Sequence, residues 1–242
     1  ELYLEFNRID QSLSKYLSLF KSICEDNNGL LYGELNQGTT VTHRLSSSGV
    51  PFIGFGQKRA KSVQFQNIPR SMKELFISRD PNKKIAETDG SQLEFRIGAE
   101  LAQDPVALEE IKNLVDVHSI SAKELNVSRQ EAKAHTFRPL FFGKGSTKAE
   151  RRYCDFFNKK YRVIYNMQQQ WCKEVILHPQ KKLFTKYGMV YNYPGARLQA
   201  DGYVNGSTNI ASYSIQGFAT AEIIPIALAY LWHHLPDDGS IE

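Results

Sequence analysis

Apolar residues recur at helical spacing in several separate stretches of the 242-residue chain. Residues 1–26 have this spacing, which is typical of a helix with one buried face. Within residues 91–103, Leu93, Ile97 and Leu101 lie four positions apart and form one apolar stripe. Further helices are predicted over 105–115, from residue 128 onward, over 147–177 as one long helix or a pair, and over 211–235.

Turn-forming residues dominate the stretches between these helices. Residues 29–70 have little helical period, and residues 183–206 contain three turn signals that predict strands and loops. Residues 83–90 predict a short strand that ends at an Asp-Gly turn. The last six residues, "DDGSIE", predict a turn and the start of another strand. Because the chain also starts with Glu rather than Met, we expect both ends to be cuts within a longer protein.

The composition is that of a soluble globular protein with one large domain or two modest ones, since 41% of the residues are hydrophobic and 23% are charged. Three cysteines without a C-x-x-C pair predict no disulfide and no zinc site, which fits a reducing compartment. No secretory signal is recognisable, so we expect a cytoplasmic protein. The apolar run at 223–232 carries Pro225 and is too short to cross a bilayer, which predicts a core helix and no membrane partner.

Positive charge is concentrated between residues 144 and 186. Eleven Lys or Arg residues stand against three acids there, a local excess of eight, whereas the net charge of the whole chain is +4. Such a block suits a polyanion. A solvated helical face explains the same charges, and the composition leaves both interpretations open.

Asp89 stands at the turn before the helix predicted over 91–103. A carboxylate at the end of a strand could bind a hard cation such as Mg²⁺, and Gly90 would let the backbone bring a carbonyl oxygen to the same ion. The alternative is that Asp89 only caps the helix N-terminus, which is the commoner role of Asp at such a position.

A pattern of cations and aromatic rings follows between residues 128 and 143. Arg129, Lys133, Phe137 and Phe141 are spaced by four and would line one slowly rotating helical face. This order of charges and rings suits a triphosphate followed by a base. An amphipathic helix with solvated cations and core rings is the alternative. The helix is predicted to begin with a capping box and to kink at a proline: Ser128, Glu131 and Pro139.

Five blocks resemble signatures of the family A DNA polymerases, in the order and spacing of that family. "DGSQLEFRIGAELAQD" resembles the first polymerase signature, and "RQEAKAHTFRPLFFG" resembles the second. "THRLSSS" with "QNIPR" resembles the upstream block that contacts DNA, "DVHSISAKELNV" the segment that meets the incoming triphosphate, and "YSIQGFATAE" a helix start that reads "IQGTAAD" in the family. The blocks extend over residues 39–222, and the "HTFRPL" variant resembles the phage branch.

This resemblance implies an α+β fold, with a right-hand palm whose antiparallel sheet is incomplete here and a mostly helical fingers subdomain. Residues 1–104 would hold the N-terminal segment and the palm with the first signature, and residues 105–180 the fingers helices. Residues 181–242 would end the fingers and return to the palm, stopping before its final strands. The implied activity is DNA-templated DNA synthesis in replication, by deoxynucleotidyl transfer to a primer 3′-OH with two Mg²⁺ ions. A viral protein of this kind would act in the host cytoplasm.

The resemblance also implies roles for individual residues. Asp89 and Lys133 would be catalytic, and Asp89 with Gly90 would bind metal. The residues implied to bind the incoming deoxynucleoside triphosphate are Gln92, Glu94, His118, Arg129, Lys133 and Phe137. Those implied to contact primer-template DNA are Arg44, Gln66, Asn67, Phe141, Gly143 and Gln216. Within these sets, Glu94 would crowd the sugar 2′ position, Phe137 would pack on the nascent base pair, and Phe141 would stack on a template base.

Some features depart from the family pattern. Gly90 and Phe141 each stand where the family has Tyr, and one extra residue lies between Phe137 and Gly143. The third signature, a His-Asp strand that supplies the second metal-binding carboxylate, is missing before Glu242. We therefore expect this polypeptide to be inactive alone, and a second chain that carries the missing palm strands would restore activity. A partial sequence explains the same gap.

Two other functions remain open at this point. A non-catalytic nucleic-acid-binding module would use the basic block and the aromatic rings, with Asp89 as a mere helix cap. A two-metal nuclease would need a cluster of carboxylates that the sequence does not show. It would also leave the face formed by Arg129, Lys133 and Phe137 unexplained.

Overall fold

The computed structural model describes residues 2–48 and 63–236. The chain divides into two units, one comprising Glu1–Thr88 with Tyr230–Glu242 and the other Asp89–Ala229. Both segments that were singled out for nucleotide chemistry, around Asp89 and around Arg129, therefore belong to the second unit. The turn and strand predicted in the last six residues lie outside the described residues.

The first unit begins with a long helical stretch, which confirms the helix predicted over residues 1–26, but the predicted buried face is present only in its last turns, at Phe20 and Ile23. The stretch comprises α1 (Leu2–Ser12), a π-helical turn (Leu13–Leu17) and α2 (Ser18–Asp26). Then come the antiparallel pair β1 (Glu34–Asn36) and β2 (Ser46–Ser48), and 3₁₀ turns at Phe65–Asn67 and Arg70–Leu75. A small core packs Phe20 and Ile23 against Val63, with the ring of Phe76 edge-on to Phe20 at 5.4 Å between centroids.

From residue 93 onward the chain is mostly helical. The helices are α3 (Leu93–Ala102), α4 (Pro105–Lys112), α5 (Val117–Leu125), α6 (Arg129–Ala132), α7 (Lys148–Lys160), α8 (Arg162–Leu177), α9 (Ser207–Phe218) and α10 (Ile224–His234). Local side chains define several of their starts: Asp104 caps α4 ahead of Pro105, and Thr147 with Glu150 forms a capping box at α7. The helices predicted at 91–103 and 105–115 and the pair predicted over 147–177 are confirmed.

Two hairpins occupy the strand-and-loop region predicted over residues 183–206. The hairpins pair β3 (Lys182–Phe184) with β4 (Val190–Asn192), and β5 (Arg197–Leu198) with β6 (Val204–Asn205), each antiparallel. The described residues thus form three separate two-stranded ribbons, and the larger palm sheet implied by the resemblance is not among them. The strand predicted over 83–90 is wrong. These residues are irregular and almost all exposed, because no neighbouring strand in the described part offers them a hydrogen-bond ladder.

Aromatic rings form the centre of the second unit. Phe95, Phe157 and Tyr161 are almost fully buried and meet edge to face, with centroid distances from 4.6 to 6.3 Å. The burial of these large rings holds α3 against α7 and α8. The hydroxyl of Tyr161 donates a hydrogen bond to Glu110 Oε2 at 2.6 Å, so α4 is tied to the same core.

The helix predicted along residues 128–143 is wrong beyond its first turn. Ser128 and Glu131 form the predicted capping box, but α6 ends at Ala132. Tight turns continue from there to residue 142, mostly closed by bonds between residues three apart rather than four. The four residues spaced by four therefore do not share one helical face.

Two side chains lie within this break. The Ala132 carbonyl accepts from both the Thr136 hydroxyl and the Thr136 backbone N–H, each at 2.9 Å, and such back-bonding bends helices. Pro139 has no N–H with which to continue an α-helix, and it begins a 3₁₀ turn instead. The kink predicted at Pro139 is thus part of a longer non-helical stretch.

The helical stretch near the C-terminus runs without interruption from α9 through a π-helical turn (Ala219–Ile223) to α10. Ile210 and Ile215 of α9 are fully buried. Within the described part, α10 has no buried residue and Trp232 is 74% exposed, so the core helix expected over 223–232 is wrong there. An apolar helix is expected to pack against another surface, but its sequence does not reveal which surface that is. By length and composition alone, the 28-residue stretch Ser207–His234 could cross a membrane, and 22% of its most apolar window is buried.

Candidate functional site

Three of the segments singled out in the sequence meet at one aromatic ring in the second unit. Phe95 of α3 stacks on Phe137, with the ring centroids 5.9 Å apart and 18° between the planes. The ring of His118, on α5, has its centroid 5.1 Å from that of Phe137. Phe137 is half-buried, so the core does not enclose it completely.

Arg129 is held by an ion pair with Asp116, a residue to which no role was predicted. Asp116 caps α5, since its Oδ1 accepts from the His118 backbone N–H at 3.2 Å, and its Oδ2 accepts from the Ser119 hydroxyl at 2.5 Å. Arg129 donates from Nε to Oδ2 at 2.6 Å and from Nη2 to Oδ1 at 3.2 Å. The bond from Arg129 is the main reason that the pKa of Asp116 falls from 3.8 to about 2. Both partners are therefore charged at neutral pH.

His118 is buried, and its ring is fixed by Thr136. His118 Nδ1 and Thr136 Oγ1 are hydrogen-bonded at 2.9 Å, and Thr136 Oγ1 also lies 2.9 Å from the Ala132 carbonyl oxygen. Burial is the largest cause of a lowered pKa of His118. The contact of His118 with the incoming triphosphate stays a prediction.

Lys133 follows α6, one turn from Arg129, and is exposed. Unlike Arg129, Lys133 has no ion-pair or hydrogen-bond partner within residues 2–48 and 63–236. Its ammonium group therefore adds a net positive charge next to the neutralised pair of Arg129 and Asp116. This surface can attract an anion such as a triphosphate.

Asp89 and Gly90 lie in the irregular, exposed segment ahead of α3. The helix itself begins at Leu93, and the residue at its cap position is Gln92, which has a left-handed backbone and makes no side-chain capping bond. The interpretation of Asp89 as a helix cap is therefore wrong. Among the described residues Asp89 has no hydrogen-bond or ion-pair partner, so its carboxylate is available to a ligand. Glu94 lies half-buried in the first turn of the helix.

The donor atoms at Asp89 fit part of a magnesium site. A carboxylate without a partner and the adjacent Gly90 carbonyl are both oxygen ligands, which Mg²⁺ prefers. The residues that the structure describes contain no group of three or more His, Cys, Asp or Glu side chains able to hold a metal ion. An ion at Asp89 would therefore need further oxygen ligands from a substrate or from outside the described residues.

A cleft of about 340 Å³ lies beside the end of the second signature. Phe142 and Tyr165 line it, with ring centroids 5.9 Å apart. Lys144 and Tyr203 also line it, and the Lys144 ammonium lies 4.1 Å from the centre of the Tyr203 ring. Rings and a cation of this kind can stack on a base and bind a phosphate.

Phe142 rather than Phe141 lines this cleft. Phe141 packs against the main core, and its contact with a template base stays a prediction. The extra residue between Phe137 and Gly143 is the sequence signal that could have pointed to Phe142. Gly143 also lines the cleft, and an added Cβ there would overlap the Arg138 side chain and lie 2.9 Å from the Arg138 carbonyl oxygen. The position therefore requires glycine.

The residues predicted to contact primer and template are divided between the two units. Arg44, Gln66 and Asn67 belong to the first unit and are exposed. There Gln66 Nε2 donates to the Leu45 carbonyl at 2.8 Å, which brings Gln66 next to the backbone that follows Arg44. Gln216 belongs to α9 of the second unit and is half-buried. Each unit thus presents some of the predicted DNA contacts.

Part of the basic block at 144–186 is committed to internal contacts. Lys160 pairs with Glu110 at 2.6 Å, and Arg152 Nη2 donates to the Glu124 carbonyl at 2.9 Å. Other cations of the block lie exposed on α7 and α8: Lys148, Lys159 and Lys173. The charge that a polyanion could meet is therefore smaller than the count of residues predicts.

The fold is that of a polymerase domain. Among solved structures, the chain resembles the POL domain of Pol1 from M. smegmatis, which is in complex with DNA primer-template and dNTP. The TM-score is 0.54 and the sequence identity 16%, over 86% of this chain and 39% of that chain.

The sequence comparisons narrow this class to one family. The model of DNA polymerase family A matches residues 1–238, and the chain belongs to that family. The chain is 30% identical to DNA polymerase I of Aquifex aeolicus over 150 residues, which are 58% of this chain and 23% of that protein. The chain is also 30% identical to DNA polymerase I of Synechocystis sp. over 176 residues, 69% of this chain and 14% of that protein. The chain therefore spans about a quarter or less of the length of these relatives.

Proposed function

We propose that this chain is the nucleotide-binding part of a DNA-templated DNA polymerase, which transfers a deoxynucleotide to the 3′-OH of a primer. The observation that carries the proposal is the meeting of α3, His118 and the Arg129–Phe137 segment at the ring of Phe137. Membership of DNA polymerase family A and the fold likeness to a POL domain support it. The expected partners are deoxynucleoside triphosphates and primer-template DNA.

The residues of the second unit would act by positioning and by charge. Arg129 and Lys133 bind the triphosphate, and Phe137 packs on the nascent base pair with the exposed part of its ring. Glu94 crowds the sugar 2′ position and so favours deoxynucleotides. Phosphoryl transfer requires little covalent chemistry of the protein, so correct placement of the reactants and of opposing charges is the main contribution of these side chains.

Asp89 and the Gly90 carbonyl would hold Mg²⁺. When bound, a pair of such ions stabilises the attacking and leaving oxygens. A second carboxylate ligand would come from the third family signature, in a further part of the same polypeptide or in a second chain. On this view the 242 residues alone extend no primer.

The finer biological assignment rests on one sequence variant. "HTFRPL" in the second signature supports placing the chain in a phage-like branch of the family. The function we propose is then DNA replication in the cytoplasm of a host cell. The aromatic cleft at Phe142 and Lys144 would receive the template strand.

Primer extension tests the function in the polymerase that contains this chain. Asp89→Ala should abolish extension and leave primer-template affinity unchanged, because a side chain that only binds metal contributes little to DNA binding. Asp26→Ala is the matched control, since Asp26 is an exposed Asp at the end of α2 to which no role in the site is assigned. Normal extension by Asp89→Ala would show instead a non-catalytic nucleic-acid-binding module. Extension by the isolated 242 residues would contradict the need for outside metal ligands.

A further inference from the structure

The ion pair between Asp116 and Arg129 occupies only one edge of the guanidinium group. Nε and Nη2 of Arg129 donate to the carboxylate, so both hydrogens on Nη1 and one on Nη2 stay uncommitted. Among the described residues none accepts a bond from Nη1. The Arg129 side chain is 56% exposed, so its second edge is accessible to a ligand.

Asp116 is itself fixed, and this allows it to fix Arg129. The backbone N–H of His118 and the hydroxyl of Ser119 each donate to one of its oxygens. The bidentate bond then sets the plane of the guanidinium group as well as its position. An arginine held in this way loses less conformational entropy when it binds a phosphate than an arginine that moves freely.

We propose that Asp116 is a positioning residue, which holds Arg129 by one edge and presents the other edge to the phosphate oxygens of an incoming deoxynucleoside triphosphate. The inference rests on the proposed function, because it takes Arg129 as a triphosphate ligand. The negative charge of Asp116 offsets the positive charge of Arg129, and the unpaired Lys133 keeps the surface positive. The alternative is that Asp116 competes with the nucleotide for Arg129 and thereby weakens nucleotide binding. The two effects differ in sign, because removal of Asp116 weakens nucleotide binding in the first and tightens it in the second.

Titration of the polymerase that contains this chain with a fluorescent mant-dGTP in the presence of MgCl₂ measures this effect. Asp116→Ser keeps a hydroxyl that can cap α5 but is too short to pair with Arg129. We expect this variant to bind mant-dGTP about tenfold more weakly, by analogy with metal sites, where loss of the partner that orients a ligating side chain costs at least about tenfold in affinity. Asp116→Asn keeps the cap and one acceptor for Arg129, so it should show an intermediate loss. Lys123→Gln changes an exposed residue of the same helix that makes no bond to Asp116, and it should bind within about twofold of the wild type.

A double substitution separates positioning from damage to α5. If Asp116 acts through Arg129, Asp116→Ser should have no further effect on mant-dGTP binding in an Arg129→Ala background. An equal loss in both backgrounds would mean that the substitution merely disturbs the helix, and the positioning role would be wrong.

The same titrations distinguish failure of this inference from failure of the proposed function. If the wild-type polymerase does not bind mant-dGTP, or if Arg129→Ala and Lys133→Ala leave binding unchanged, the triphosphate site is wrong and the inference falls with it. If Arg129→Ala weakens binding while Asp116→Ser leaves it unchanged or tightens it, the triphosphate site stands and the positioning role is refuted.

Discussion

Asp104 joins two helices that are far apart in the sequence, and its replacement tests what holds the second unit together. Oδ1 of Asp104 accepts from the backbone N–H groups of Val106 and Ala107, both at 3.1 Å, in the first turn of α4. Oδ2 accepts from those of Val163 and Ile164, at 3.0 and 3.3 Å, in the first turn of α8. The residue before α8 makes no side-chain cap of its own. A single carboxylate thus caps two helices.

The cost of removing Asp104 follows from these four bonds. Loss of an N-cap costs about 1 kcal/mol per helix and up to about 2 kcal/mol in folded proteins. Since Asp104 is 1% exposed, water cannot readily replace it. Asp104→Ala should therefore lower the free energy of unfolding by about 2–4 kcal/mol. Asp104→Asn keeps one acceptor oxygen, so one helix start loses its partner whichever way the amide turns, and about half of that loss is expected.

Urea unfolding followed by circular dichroism measures the free energy, and hydrogen exchange at residues 163 and 164 reports on the start of α8 itself. Exchange there should be faster in Asp104→Ala than in the wild type. Asp201→Ala is the control, because Asp201 accepts one bond from the Tyr203 N–H in an exposed turn and its loss should cost about 0.5 kcal/mol or less. If Asp104→Ala were no more destabilising than this control, the double cap would not be holding α4 to α8.

Two further substitutions test the ring of Phe137 and the buried His118. Phe137→Tyr should increase incorporation of dideoxynucleotides by the polymerase that contains this chain, because the family resemblance implies that Phe at this position excludes them; unchanged chain termination in primer extension would contradict the assignment. Burial lowers the pKa of His118 below its ordinary value of 6.5. As the pH falls, the unfolded state is therefore protonated before the folded state, and the free energy of unfolding should decrease below about pH 6.5. Urea unfolding at pH 7.5 and 5.5 should show a smaller decrease for His118→Gln than for the wild type or for His234→Gln, and an equal decrease in all three would refute the role of His118.

The helices were predictable because local signals determine them. The spacing of Leu93 and Ile97 located α3, and Ser128 with Glu131 correctly marked the start of α6. The early end of α6 was not predictable from spacing, because a repeat of four residues is equally compatible with tight turns. The strand expected before Asp89 failed for another reason, since a strand needs a partner and the pattern of one segment does not reveal whether a partner is present.

The chemistry of the candidate site was more predictable than its connections. The spacing of Arg129 and Lys133 suits a triphosphate, and the family resemblance implies the metal-binding role of Asp89; both assignments stay predictions. The pairing of Arg129 with Asp116 was not predictable, because it depends on how α5 and α6 pack. That Phe142 rather than Phe141 lines the cleft likewise depends on the conformation of the turns after α6.

Some charged side chains of the second unit form an ion pair and others do not, and this difference favours one kind of ligand. Arg129 is paired, whereas Asp89 and Lys133 have no partner among the described residues. Exposed charges without partners contribute little to folding stability, so the fold alone gives no reason for a carboxylate at one end of α3 and an ammonium after α6. A half-buried ring between these elements adds a surface for a flat base. The ligand we propose, a Mg²⁺-bound nucleoside triphosphate, would supply a cation, an anion and a base for these three features, whereas a nucleic-acid backbone would supply only an anion for the ammonium.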